Sequence, residues 1–326
     1  MAKNIYVLID HAQGEIRGGS LETLAWGQQI AAQGGGQVQA LVLSGPDQNP
    51  AQEIASSAQA SAVISVQDER LADYDPDSYA GALKAVLQED QPDLLLMAHI
   101  YQNIDLAPKV AVAVQGALVT DCIGHRQDEQ GLIFIRQMFR NKLNADVRTG
   151  SGHLAIATLQ AGAVSKDELE AGESPLEKRQ VDLSQVPQRR VSLEKVGAGK
   201  GQVDLTKAEV IVGVGRGIKK EENLEMVREL AEILGAEIGA SRPVVDNDWL
   251  ERERQIGSSG QNVSPKLYIS VGISGAIQHI VGMKGSNTIV AINNDPNAPI
   301  FNIATYGIVG DLFEIVPALT EKLREG

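Results

Sequence analysis

The stretch Leu267–Leu312, LYISVGISGAIQHIVGMKGSNTIVAINNDPNAPIFNIATYGIVGDL, constrains the fold more than any other part of the chain. It reads as two buried strands, each running into a turn marked by glycine or proline. In Leu267–Ile273 large apolar residues alternate with small ones. Ser274-Gly275-Ala276 then removes side-chain bulk where a helix is expected to begin. A helix start carries unpaired N–H groups and the positive end of the helix dipole, so it suits a phosphate. Small residues there let a ligand approach the backbone. Thr288–Ile292 is the second strand, and Asn293-Asn294-Asp295-Pro296 is the turn that leaves it. Polar side chains just past the C-terminal ends of neighbouring strands mark where open α/β sheets bind ligands. The pattern has the form of a nucleotide-binding crevice.

The residues leading into this stretch belong to the same domain. Ala208–Val214 reads as a strand that runs into Gly213-Val214-Gly215-Arg216-Gly217. A helix follows, with Leu224, Val227, Leu230, Ala231 and Leu234 on one face and Gly235 closing it. Strand, glycine turn and helix are the context a nucleotide site requires, yet the dinucleotide fingerprint fails. Ile218 stands where the third spaced glycine belongs, and Ser241-Arg242-Pro243 stands where an acidic residue is expected. NAD is therefore disfavoured, and the glycine turn gains weight only as the neighbour of a second small-residue turn. Ala236–Ala240 is a short strand ending at Ser241-Arg242, which faces the same crevice. The alternative for Arg242 is a rim arginine bridging to Asp246 or Asp248. Gln255-Ile256-Gly257-Ser258-Ser259-Gly260-Gln261 is a polar loop at the sheet's edge, and His279 lies one turn into the helix after Gly275. The alternative for His279 is a buried, satisfied histidine. Asp311 is expected to cap a last helix carrying Leu312, Ile315, Val316, Leu319 and Leu323, with Pro317 kinking or restarting it.

The first half alternates strand and helix patterns, which points to a parallel sheet. Ile5–Ile9, Val38–Leu43, Ala62–Val66 and Leu94–Ala98 are strands. Ser20 is expected to cap a helix that buries Leu21, Leu24, Ala25, Ala31 and Ala32, ended by Gly34-Gly35-Gly36. Tyr79, Ala82, Leu83, Val86 and Leu87 follow the i, i+3, i+4, i+7, i+8 rule of an amphipathic helix. A further helix is expected from about Ile104 to Gln115, with Pro108 allowed only in its first turn. Val119–Gly124, Leu132–Phe139, Leu143–Val147 and Leu154–Leu159 have little helix between them, so an antiparallel extension follows. His11, His99, His125 and His153 are scattered, with neither metal-ligand spacing nor an adjacent nucleophile, and read as structural or surface histidines. No catalytic constellation appears in this half.

At 326 residues, two domains are the default expectation. Residues 161–206 are rich in Glu, Lys, Gln, Gly and Ser and read as an exposed connection. Arg190–Leu193 is its one strand candidate, Arg189, Arg190 and Lys195 are solvated charges, and Gly197-Ala198-Gly199-Lys200-Gly201 is its loosest part. The domains are accordingly placed at 1–195 and 196–326. A net charge of -13 argues against a nucleic-acid surface, which needs clustered positive charge. No apolar run approaches a membrane span and no targeting segment opens the chain. Cys122 alone can form neither an intrachain disulfide nor a cysteine metal cluster, so a cytoplasmic setting is expected.

Gly272-Ile273-Ser274-Gly275-Ala276-Ile277-Gln278-His279, Val290-Ala291-Ile292-Asn293, Asp295-Pro296, Ala298-Pro299-Ile300-Phe301 and Tyr306-Gly307-Ile308-Val309 with Asp311 together resemble the electron-transfer flavoprotein alpha subunit. The resemblance implies two α/β domains. The first is a parallel-sheet domain with an antiparallel extension that packs against a beta subunit. The second is a Rossmann-like, doubly wound domain that binds FAD. It implies a heterodimeric electron carrier, not an enzyme, serving pathways such as fatty acid β-oxidation. Electrons would come from acyl-CoA dehydrogenase-type donors and pass to a quinone reductase-type acceptor, within a bifurcating complex in some members. By the same resemblance Arg242 lies over the flavin and favours its anionic semiquinone, His279 donates to O2, Ser259 lies beside N5, and Ser241 belongs to the phosphate turn. Gln255, Gln278, Asn293 and Asp311 match further FAD contacts, among Gly257, Ser258, Gly272, Ser274, Gly275, Ala276 and Asp295. Ser258 stands at a usual glutamine, Gln261 at a usual lysine and Thr305 at a usual aspartate. Two other classes stay open on the residues alone. An NAD-dependent dehydrogenase conflicts with the failed fingerprint, and a non-redox nucleotide-binding regulator would bind ATP or AMP through residues 1–160.

Overall fold

The structure, a computed structural model, describes residues 4–139, 142–150, 152–190 and 204–325. The strand anticipated from Arg190 into Leu193, the charge Lys195 and the run Gly197–Gly201 lie outside the described residues from position 191 on. The chain divides into two compact units, Met1–Lys195 and Val196–Gly326.

The first unit runs β1 (Asn4–Ile9), β2 (His11–Ala12), β3 (Glu15–Ile16), α1 (Gly18–Gly34), β4 (Gln37–Ser44), α2 (Pro50–Ser57), β5 (Ala62–Gln67) and α3 (Pro76–Asp90). It continues with β6 (Leu94–Ala98), α4 (Tyr101–Val114), β7 (Ala117–Asp128), β8 (Gly131–Met138), β9 (Leu143–Val147), β10 (Ala155–Leu159) and β11 (Leu176–Arg179). Among the described residues nine strands form one sheet in the order β11-β5-β4-β1-β6-β10-β7-β8-β9, parallel throughout except for the β7–β8 and β8–β9 pairs. Helices cover both faces because successive strand residues point to opposite sides. Ile5, Val7 and Ile9 enter the core that includes α1 and α2, while Tyr6 and Leu8 enter the one that includes α3 and α4. Gly35 takes a left-handed conformation and ends α1 with its N–H on the Ala31 carbonyl.

Several expectations change here, each for a local reason. α1 begins at Gly18, so Ser20 is not its cap; the Ser20 hydroxyl instead accepts from the Asp10 amide at 2.8 Å, tying the helix to the end of β1. Ala32 is exposed. α2 is an unanticipated short helix that buries only Pro50, Ala51, Ile54 and Ala55. α4 starts three residues before Ile104, which places Pro108 in its interior. β10 is not part of the antiparallel extension but lies between β6 and β7, parallel to both. The stretch after residue 161 is not wholly an exposed connection. β11 adds a parallel edge strand to β5, Leu183 is buried, and the Arg70 guanidinium donates to the Leu183 and Val186 carbonyls. Three sparse apolar anchors (Leu176, Leu183 and Val186) were too few to reveal this from composition.

The second unit contains β12 (Val210–Val214), α5 (Leu224–Leu234), β13 (Glu237–Ala240), α6 (Arg242–Val245), β14 (Leu267–Val271), α7 (Ile277–Val281), β15 (Thr288–Asn293), β16 (Tyr306–Val309) and α8 (Leu312–Glu325). Among the described residues its five strands are all parallel, in the order β13-β12-β14-β15-β16. An isolated parallel bridge joins Ala240 to Gln255, and the Ile256 amide donates to the Ala240 carbonyl at 2.8 Å. With that fragment counted as a strand, the chain order is 3-2-1-4-5-6, the doubly wound Rossmann-like arrangement. Val212, Val214, Ile269, Val271 and Ile292 pack under α5 and α8 on one face. Ile211, Tyr268, Ile289 and Ala291 pack on the other, against Ile256, Ile273, Met283 and Ile300. Asp311 caps α8 by accepting from the Phe313 amide at 3.0 Å. Contrary to expectation, α8 runs unbroken through Pro317. Pro108 and Pro317 both sit on exposed sides of their helices, where water can take the carbonyl that loses its partner.

Candidate functional site

The strand register of the second unit sets the height of every candidate residue. Val214 pairs with Ala240 and with Val271, Val271 with Ile292, and Asn293 with Val309. Ser241, Gly215, Gly272, Asn293 and Asp311 therefore leave the sheet along one rim, that of the C-terminal strand ends. From β13 to β16 this rim crosses four strand spacings, about 19 Å at the usual separation. Such a rim serves a ligand stretched across several strand ends. Its topological switch point falls between β12 and β14.

At that switch point the glycine turn does something other than its sequence suggests. The Gly215 amide donates to the Val271 carbonyl at 2.8 Å, and the Gly217 amide to the Gly272 carbonyl at 3.1 Å. A Cβ on Gly217 would lie 2.7 Å from the Gly272 Cα, and Gly272 itself has φ +63°. Gly215, Gly217 and Gly272 thus form a packing seam between two turns, and no phosphate cradle is left in the first of them.

The second turn is where backbone donors remain. Ala276 caps α7, and the N–H groups opening this five-residue helix have no acceptor within it. Ser274, Ala276 and Gln278 are exposed, while Gly275 is buried against the backbone of Ile300, whose amide donates to the Ser274 carbonyl at 3.2 Å. Beside it, Asn293 is buried; its amide donates to the Ile273 carbonyl at 2.9 Å and its Oδ1 accepts from the Asp295 amide at 3.0 Å. Asp295 in turn holds the Asn297 amide at 2.9 Å.

The loop 255–261 closes on α7 from the other side. The Ser258 amide donates to the Gln278 carbonyl at 2.7 Å, and the Gln255 side chain donates to the Ser259 hydroxyl at 2.9 Å. Gly257, at φ +139°, lies so close that a Cβ would sit 2.6 Å from the Gln278 carbonyl oxygen. His279 is buried, with Nδ1 3.1 Å from the Ile256 carbonyl and Nε2 2.9 Å from the Tyr268 hydroxyl. Burial pushes its imidazole down to about 4, against a smaller opposing pull from the Ile256 carbonyl. The anticipated alternative, a buried and satisfied histidine, is thus what the geometry displays. Arg242 likewise bridges to Asp246 at 3.3 Å, with its side chain 70% exposed. An exposed i,i+4 pair of this kind is weak, so the guanidinium is available to a stronger anion.

Gln255, Gly257, Ser258, Ser259, Gln278 and His279 thus join one bonded cluster. Gly272, Ser274, Gly275, Ala276, Asn293 and Asp295 form a second, adjoining through α7. Ser241 and Arg242 stand at one end of the rim, and Asp311 at the other, beyond β16. Sequence reasoning missed Tyr268, whose only signal was an aromatic ring among small residues on the same strand face. Elsewhere, His11 meets the Leu43 carbonyl, His99 meets Thr158, His125 accepts from Trp26 and His153 meets the Gln115 carbonyl. Among the described residues no group of three or more His, Cys, Asp or Glu can hold a metal ion. No helix among them is long and apolar enough to cross a membrane.

A parallel 3-2-1-4-5-6 sheet with a polar, backbone-rich rim at its strand ends defines a Rossmann-like nucleotide-binding protein. The sequence matches the electron transfer flavoprotein domain over residues 5–184 and the electron transfer flavoprotein FAD-binding domain over residues 204–284. Electron transfer flavoprotein subunit alpha of Bacillus subtilis is 38% identical over 325 residues, covering 100% of this chain and 98% of that protein. The corresponding subunit of Thermoanaerobacterium thermosaccharolyticum is 34% identical, covering 99% and 98%. Protein FixB of Azotobacter vinelandii is 36% identical, covering 99% and 91%. Among solved structures, a thiamine diphosphate-dependent 4-hydroxybenzoylformate decarboxylase of Rhodococcus jostii RHA1 aligns with 98% of this chain and 59% of its own, at 13% identity. Its TM-score of 0.23 is too low to bear on the fold. The chain belongs to the electron transfer flavoprotein alpha-subunit family. Its cofactor is FAD and its role is electron transfer, in a family of carriers whose alpha chain implies a beta-subunit partner.

Proposed function

We propose that FAD lies along the C-terminal rim of the second unit's sheet, between Ser241 and Asp311. The observation that carries this reading is the convergence on α7. Its opening N–H groups, the Ser274-Gly275-Ala276 turn, buried Asn293 and the 255–261 loop all meet at one point. The rim fits the group in chemical terms. A pyrophosphate needs unpaired backbone donors with little side-chain bulk, which Gly275, Ala276 and Gln278 supply, with Ser241 at the neighbouring strand end. A flavin ring that gains negative charge needs a cation close by, and exposed Arg242 pairs with Asp246 in a weak surface contact. Ser258 and Ser259 bring hydroxyls to the same end, and Gln255 fixes Ser259. Asn293, Asp295 and Asp311 line the opposite stretch. Gly272 and Gly257 contribute by letting the turns approach one another. When bound, FAD supplies the capacity to take and give electrons one or two at a time; the residues named here bind it, orient it and set its charge balance.

In this reading the first unit packs against the beta subunit, giving domains at 1–195 and 196–326. The complex, in the cytoplasm, takes electrons from an acyl-CoA dehydrogenase-type donor and passes them to a quinone reductase-type acceptor. Purification with the beta subunit tests it. The complex should be yellow, should be reduced by such a dehydrogenase with its substrate, and should then reduce the acceptor. A complex that the donor leaves oxidised would refute the donor assignment, and a colourless one the placement of the flavin.

A further inference from the structure

The first unit carries a cleft of about 660 Å³ at the N-terminal ends of β6, β10 and β7, within the size range of small-molecule sites. Its floor is apolar: Leu87 and Pro92 are buried, Val114 and Leu154 half-buried. Its walls are the C-terminal ends of α3 and α4, and Gln91, Gln115, Asp93 and His153 stand on its rim. Gly116 lets β10 close one side. A Cβ there would lie 2.9 Å from the Leu154 carbonyl oxygen, which accepts from the Ala117 amide.

The two helix ends differ from others in the same chain. Four helices end in a residue of left-handed conformation, at φ between +45° and +65°: α1 at Gly35, α5 at Gly235, α3 at Gln91 and α4 at Gln115. Glycine takes that conformation freely, whereas an L side chain is crowded by its own carbonyl. The two ends that have only open space beside them use glycine, and the two that border the cleft use glutamine. Among the described residues nothing hydrogen-bonds either glutamine side chain. Two carboxamides are thus kept against a backbone cost, unpaired, at the mouth of one cleft.

The cleft also has one sign of charge. Each helix C-terminus presents carbonyls without helical partners and the negative end of its dipole. Asp93 adds a carboxylate, whose Oδ2 accepts from the Asn4 amide at 3.0 Å. The Gln115 carbonyl takes the Nδ1 proton of His153 at 3.1 Å, so in the neutral ring Nε2 is a further acceptor. No Lys or Arg is among the described residues that line the cleft.

We propose that this cleft is a second ligand site, for a small organic cation: an amidinium, guanidinium or ammonium head on a short apolar body. The head meets the helix-end carbonyls, Asp93 and the two glutamine amides, and the body lies on Leu87, Pro92, Val114 and Leu154. The site belongs to the first unit alone and does not depend on where FAD lies.

The test uses three probes of one shape and different charge: benzamidine, benzamide and benzoate. Each is titrated into the 15N-labelled full chain with its beta partner and FAD, by NMR for location and calorimetry for affinity. Benzamidine should shift the amides of 87–93, 114–116 and 152–154 and bind about tenfold more tightly than benzamide, the factor a charge-assisted contact supplies. Benzoate should leave those amides unmoved. The double variant Gln91→Gly, Gln115→Gly keeps a residue suited to both helix ends, so it should fold, yet bind benzamidine about fivefold more weakly. Asp93→Asn should bring benzamidine close to the affinity of benzamide. Benzamidine that leaves these segments unshifted, three probes that bind alike, or a double variant that binds as tightly as the wild type would each overturn the proposal.

Discussion

The amide of Ser258 donates to the carbonyl of Gln278 at 2.7 Å, joining a loop that leaves the sheet's edge to the helix that follows its central strand. These residues are twenty positions apart, and their bond makes the two walls of the candidate flavin site one body. The site is therefore as rigid as that seam, and changes at the seam should register as both stability and flavin retention.

Gly257→Ala tests the seam directly. Alanine is strained at φ +139°, and its Cβ would press on the Gln278 carbonyl. The variant should lose about 1–3 kcal/mol of stability. Urea denaturation with and without FAD checks this, and the FAD-loaded form should lose more than the FAD-free form.

Arg242→Ala should behave in the opposite way. Its bridge to Asp246 is exposed, so stability should hold within about 0.5 kcal/mol. Loss of the cation should make the flavin midpoint potential more negative by tens of millivolts, because charge-assisted contacts favour the reduced, more anionic form. Spectroelectrochemical titration measures it, and an unchanged potential would remove Arg242 from the site.

His279 predicts a pH dependence with a definite sign. Its folded value is lowered to about 4, while the unfolded chain titrates at the ordinary 6.5. Its contribution to stability is thus complete above pH 6.5 and is lost as the pH falls towards 4, by at most about 3 kcal/mol. Comparing denaturation curves of the wild type and His279→Gln across this window isolates the effect: their difference should shrink as acid is added.

Asp10 predicts the reverse slope in the first unit. Burial pushes its carboxyl up to about 7 from 3.8, against the Asn103 amide bound to it at 2.7 Å. The folded form keeps its proton where the unfolded chain has lost it, so the stabilising difference is present below pH 3.8 and is lost as the pH rises through 7. Asp10→Asn cannot titrate and should flatten that slope in the same denaturation series.

The fold was legible wherever periodicity was strong. Tyr79, Ala82, Leu83, Val86 and Leu87 announce α3, the Leu267 strand falls where its alternation puts it, and the Thr288 strand falls where its apolar run does. Ser20 misled because a capping residue and an inward-facing hydroxyl look alike until the end of β1 is known to lie beside it. β10 misled because its pairing is settled by distant strands. In the site, the local turns were visible in Ser274-Gly275-Ala276 and Asn293. The partners were not: a sequence shows that Gly213 and Gly217 are small, but not that Tyr268 and Gly272 are the reason. Likewise His279 looks free until Ile256 and Tyr268 are placed on its two nitrogens.

The most direct test of the whole account is amide hydrogen–deuterium exchange of the full chain with its beta partner, compared without and with FAD. The account predicts slowed exchange at Ala276–Gln278, across 255–261 and beside Asn293, with residues 5–184 little changed. Protection confined to residues 5–184, with the α7 turn exchanging as freely as before, would contradict it.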